Sequence, residues 1–176
     1  MNKEVPMNAP ARQMKAASLP LKFGFDAAYY RLAIAGGPFD RRPKLEKSFN
    51  VCVRAENVPA DAVHAHLPIE DFSVPGVGQE AQVSDVLFKA LKAAIDGKEV
   101  YVGCMGGVGR TGLFLALLAK AAGVAKPVDY VREHYDRRAV ETLEQKLYVN
   151  RFDVGALRVR LFWYAWTSRL LWWWRV

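Results

Sequence analysis

Cysteine is scarce in this chain: the 176 residues contain two, Cys52 and Cys104. That excludes a disulfide-stapled secreted scaffold and makes a reducing cytoplasm the expected compartment. Nothing at the N-terminus has the apolar stretch of a secretory signal. Histidine is also rare. His64 and His66 fall on one face of a strand-like segment, but no third ligand stands at a metal-site spacing, so no metal is expected. No internal repeat is present. A spanning helix needs about 20 apolar residues; the best candidate, residues 161–176 (LFWYAWTSRLLWWWRV), is shorter and interrupted by Arg169.

Apolar residues are plentiful, 52% of the chain with 12% aromatic. That supplies one globular core at this length and argues against disorder. Lysine and arginine outnumber acids 25 to 18, and the charge of +7 favours anionic partners: phosphoesters, nucleic acid or acidic membrane. Residues 1–20 read as a mobile lead-in, 21–155 as one domain and 156–176 as a tail rich in Trp and Arg. Segments 29–35, 49–54 and 63–69 predict strands. Residues 79–96 repeat apolar positions at helical spacing, with Gly97 placed to end the run. A buried strand (EVYVG, 99–103), a glycine-rich turn and a helix over 113–122 come next. Two further helices are expected over 128–138 and 142–152, the first preceded by Pro127. Strands early and helices late point to an α/β fold, a three-layer sandwich with a largely parallel sheet flanked by helices.

The turn carries the chemistry. In GCMGGVGRTG (103–112) the Cys104 thiol and the Arg110 guanidinium stand six positions apart, across a loop containing Gly106, Gly107 and Gly109. Glycines let successive amides turn inward, and the following helix points its positive end at the same place. Met105, Gly106, Gly107, Val108, Gly109 and Arg110 thus form an anion cradle. Such a cradle also favours a thiolate at Cys104, the form that attacks. The planar fork of Arg110 can hold two equatorial phosphoryl oxygens. Thr111 is placed to donate its hydroxyl to the Cys104 sulfur when that sulfur leaves.

CMGGVGRTG resembles the C-x5-R-[ST] signature of the protein tyrosine phosphatase superfamily, in its compact dual-specificity branch. The segment IEDFSVP (69–75) resembles that family's mobile acid loop, with Asp71 at the position of the general acid. RAVETLEQ (138–145) resembles its segment that orients the hydrolytic water, with Gln145 as the matching residue. The resemblance covers about residues 27–152 and implies two-step hydrolysis through a phosphocysteine, without metal or cofactor. It departs at one position, where the family usually has His before the nucleophile and this chain has Gly103.

The resemblance implies a phosphatase acting on phosphorylated protein; the loop has no Lys between Cys104 and Arg110, unlike phosphoinositide-specific relatives, and nucleic acid is not expected as a partner. Gly103 and the tail feed a second reading, a non-catalytic phosphate-binding module or membrane-associated adaptor. A third, arsenate or sulfur transfer, leaves Asp71 and Gln145 without a role. Cys52 reads as packing or as a partner for an oxidised Cys104. Lys92, Lys98, Lys120, Arg137 and Arg138 are candidates for a basic rim at the phosphate site. The tail contains all five tryptophans and suggests either peripheral membrane contact or packing across the domain. Oligomeric state is not legible.

Overall fold

The computed structural model describes residues 18–21 and 30–173. Five strands run β1 (Ser18–Leu21), β2 (Tyr30–Pro38), β3 (Ser48–Cys52), β4 (Ala65–His66) and β5 (Glu99–Cys104), ordered β1-β2-β5-β3-β4 in the sheet. β2, β5, β3 and β4 are parallel, while β1 adds antiparallel to β2. The sheet is therefore largely parallel, as expected. Most of the lead-in lies outside the described residues, and its last part already forms β1.

β5 is buried from Val100 through Cys104 and β3 is buried at four of its five positions. Burial without alternation means that both sheet faces are covered, the signature of a parallel sheet between helical layers. The helices are α1 (Glu80–Ile95), α2 (Gly109–Ala121), α3 (Pro127–His134), α4 (Leu143–Arg151) and α5 (Gly155–Trp173). α1 lies over β2 to β5, and α2 packs on β5 and β2 with α3 and α4 behind it. α5 lies along α1 and sends Leu157, Leu161 and Ala165 into the buried interior. The segment read as a tail is thus largely a helix that seals one side of the core.

Several boundaries differ from the sequence reading: β2 runs on to Pro38 and β3 ends at Cys52. The strand expected over 63–69 shrinks to Ala65–His66, because the His64 ring, rather than its backbone, accepts the Asn50 N–H and Pro68 has no N–H to continue the ladder. α2 begins at Gly109, not 113, so its first turn is part of the glycine-rich loop. α3 stops at His134, where the Asp136 carboxylate takes the Arg138 N–H and turns the chain instead.

Candidate active site

β5 delivers Cys104 to the C-terminal edge of the sheet, in register with Pro38 of β2, while its neighbour Gly103 pairs with Cys52 of β3. A site between two central strands, feeding a loop and then a helix N-terminus, is where parallel sheets place anions. The Gly107 N–H donates to Cys104 Sγ at 3.2 Å. Gly107 can point that amide inward because it adopts φ +72°; a Cβ there would lie 2.3 Å from the Gly37 carbonyl carbon. Gly106 faces open space at the mouth, and Gly109 leaves room for the Glu141 carboxylate. Val108 is the residue before α2, and Met105 is partly exposed with its sulfur 3.4 Å from Arg54 Nη1. The six candidate cradle residues run on from the end of β5 into the first turn of α2.

Arg110 is 2% exposed, and both of its terminal nitrogens are engaged. Its Nη1 and Nη2 donate to Glu56 at 2.7 Å each, and Nη1 also donates to the Ile69 carbonyl at 3.0 Å. Sequence reasoning missed Glu56, because 54 positions separate it from Arg110 and no local spacing marks it. The Arg110 contact pulls the Glu56 carboxyl down to about 2 from an ordinary 4.5. Asp71 Oδ1 stands 3.1 Å from Arg110 Nη2, so Asp71 rather than its neighbour Glu70 faces the cradle. The same oxygen accepts the Phe72 N–H, and Phe72 is held at φ +56°. Left-handed backbone at a non-glycine residue is strained and concentrates at functional sites. Asn57, beside Glu56, and Val140, five residues before Gln145, share that strain.

Thr111 Oγ1 accepts the Cys104 N–H at 2.9 Å, which ties the nucleophile's backbone to α2 and leaves the hydroxyl proton free to be donated. Gln145 is completely buried, not on a solvated face. Its Nε2 donates to the Ser73 carbonyl of the acid loop at 3.1 Å, and its Oε1 has no protein partner among the described residues. An orphaned buried acceptor beside the acid loop is a ready seat for a water molecule. Tyr135, also missed, donates its hydroxyl to the Gly107 carbonyl, on the peptide that follows the one whose N–H reaches the sulfur. Burial pushes the Tyr135 hydroxyl far above its ordinary range, so it remains a donor.

Gly103 has a local cause. A Cβ at this position would lie 2.7 Å from Phe39 Cα and 2.9 Å from the Gly37 carbonyl oxygen. The end of β2 occupies the space that a side chain before the nucleophile would need. The expected basic rim does not gather at the cradle: Lys98 precedes the start of β5, opposite Cys104, and Arg138 pairs with Asp136. Lys92 pairs with Asp96 at the far end of α1, and Lys120 donates to the Val149, Asn150 and Phe152 carbonyls, capping α4. Cys52 is a free, fully buried thiol that burial pushes upward. His64 and His66 serve backbone hydrogen bonds, and no metal-ligand cluster occurs among the described residues.

Residues 44–123 match the family described as the DSP-PTPase phosphatase of polymorphic toxin systems. Over that segment the chain is similar to the dual-specificity phosphatases. Its fold agrees with theirs: the active form of Tk-PTP superposes with a TM-score of 0.53 at 24% identity, covering 68% of this chain and 89% of that one. Kinase associated phosphatase, with its catalytic cysteine replaced by serine, gives 0.52 at 20% identity over 69% and 84%. Two uncharacterized proteins of Methanocaldococcus jannaschii are 42% identical to this chain over 88 and 85 residues, 49% and 48% of the chain. The chain spans 57% and 51% of their lengths.

Proposed function

We propose that this dual-specificity-type domain hydrolyses phosphate monoesters of proteins through a phosphocysteine. The observation that carries the reading is the buried Arg110 guanidinium, aimed by Glu56 and the Ile69 carbonyl at a loop whose Gly107 N–H already touches the Cys104 sulfur. An incoming phosphoryl group takes the place of Asp71 on Arg110 and lies among the loop amides. The Cys104 thiolate attacks phosphorus, the ester P–O bond breaks, and the Asp71 carboxyl gives its proton to the leaving oxygen. Water seated by the Gln145 amide oxygen then attacks, Asp71 takes its proton, and the S–P bond breaks to release phosphate and thiolate. Thr111 stabilises that thiolate.

Turnover of para-nitrophenyl phosphate between pH 5 and 8, in reductant and without metal, tests the reading beside Cys104→Ser and Asp71→Ala. Turnover that vanishes in Cys104→Ser and drops about a hundredfold or more in Asp71→Ala supports it. A folded chain that binds phosphate and turns over neither this ester nor phosphopeptides refutes catalysis and leaves the phosphate-binding module. That alternative draws on Gly103 and on Arg110 being occupied by Glu56 and Asp71 in the same structure.

A further inference from the structure

α5 has two different faces. Its inner stripe, Leu157, Leu161 and Ala165, is buried against the core. Its outer stripe, Val159, Trp163 and Trp166, is 59%, 56% and 51% exposed, with the two indoles in edge-to-face contact. In sequence the same spacing continues to Leu170 and Trp173. A row of exposed large apolar residues along one helix costs solubility unless something covers it.

The charge of the helix identifies what. α5 carries Arg158, Arg160 and Arg169 and no acidic residue in 19 positions. Arg160 is 54% exposed, stacks on Phe88 and reaches Asp85 only at 3.8 Å. A second copy docked face to face would set these arginines against their own kind, since an isologous contact repeats the same patch. A bilayer span is excluded by the same arginines, and no described helix is long and apolar enough to cross a membrane. Tryptophan between arginines is the composition of a helix that lies in the headgroup layer of an anionic bilayer.

We propose that the outer face of α5 binds the surface of anionic lipid membranes, with Trp163 and Trp166 in the interface and Arg158 and Arg160 on lipid headgroups. The helix is about 28 Å long, enough to lie flat across several headgroups. It runs in the same direction as α1: Arg160 meets Asp85 and Phe88, and Tyr164 meets Phe88 and Asp96. α1 ends next to the start of β5, whereas Cys104 is at the other end of that strand. The tryptophan-bearing end of α5 therefore points to the pole opposite the phosphate cradle, and membrane binding leaves the cradle open to water. The proposal does not depend on catalysis.

All five tryptophans lie between residues 163 and 174, so the intrinsic emission of the full chain reports this segment alone. Titration with vesicles of phosphatidylcholine and phosphatidylglycerol in equal parts is expected to shift that emission to shorter wavelength and to bring the chain down with the vesicles, whereas pure phosphatidylcholine binds far more weakly. Arg158→Gln with Arg160→Gln should weaken binding about thirtyfold at unchanged melting temperature. Trp163→Ser with Trp166→Ser should abolish the blue shift of the remaining indoles on vesicle addition. Equal binding to both vesicle types, or none to either, overturns the proposal. So does concentration-dependent dimerisation that the Trp163→Ser, Trp166→Ser chain loses, which assigns the face to a second copy. Binding to soluble polyglutamate as tight as to vesicles also overturns it and assigns the face to an acidic protein.

Discussion

Arg110 is held by three groups from outside its own loop: Glu56, the Ile69 carbonyl and Asp71. A buried guanidinium without such partners would be costly, and with them it is held in one orientation. Glu56→Gln keeps the shape and removes the charge, so kcat/KM for para-nitrophenyl phosphate should fall about tenfold or more, mainly through KM, with inorganic phosphate inhibiting less tightly. The same pair fixes an acid dependence. Folded Glu56 titrates at about 2 instead of 4.5, so the folded chain keeps a charge that the unfolded chain surrenders as pH drops. Its contribution to stability is whole above about pH 4.5 and is lost as pH falls towards 2. Urea midpoints measured through that window should decline less steeply in Glu56→Gln than in the parent. Tyr135 acts one step further out, through the Gly107 carbonyl. Tyr135→Phe should cost about 1 kcal/mol of stability and slow iodoacetamide alkylation of Cys104, because Gly107, whose N–H donates to the sulfur, is then less restrained through its carbonyl. A purely structural tyrosine would leave the alkylation rate unmoved.

At the scale of elements, the decisive contact is the approach of the β2 end to the glycine-rich loop. Gly36, Gly37 and Pro38 run so close to Gly103, Gly107 and Thr111 that none of the three glycines in contact, Gly36, Gly103 and Gly107, has room for a methyl group without displacing a neighbour. Tyr101 donates to the Pro38 carbonyl at 2.9 Å and pins the same segment. Gly103→Ala should therefore cost about 1–3 kcal/mol in a thermal melt, as overpacking does. Gly103→His, which restores the residue usual in the family, should cost more and should not raise turnover. A stable, faster Gly103→His chain would show that the β2 end is free to move away.

For the whole molecule, α5 is part of the folded unit. Leu161 is fully buried, and Leu161→Ala should cost about 2–5 kcal/mol, visible as a lower urea midpoint with an unchanged slope. Exposed Val159 on the same helix should tolerate Ala within about 0.5 kcal/mol. The contrast separates the face that the core needs from the face offered to a membrane.

Local patterns determined much of this by themselves. The glycine-rich run from Cys104 to Arg110 specifies a cradle because thiol, guanidinium and amides lie within one turn of chain, and the 3.6 periodicity of α1 needs no distant partner to be legible. The family resemblance, not local pattern, singled out Asp71 before Pro75 and Gln145 in RAVETLEQ as candidates. What only the tertiary structure decided are relations between segments far apart in sequence. Glu56 meets Arg110 across 54 positions, Tyr135 meets Gly107 across 28, and Phe39 closes the space beside Gly103. The burial of Gln145 and the two-sidedness of α5 belong to the same class. Composition marks such residues only as polar or apolar. Whether a group faces water, a partner charge or a neighbouring backbone is set when the parallel sheet brings its C-terminal loops together at one edge.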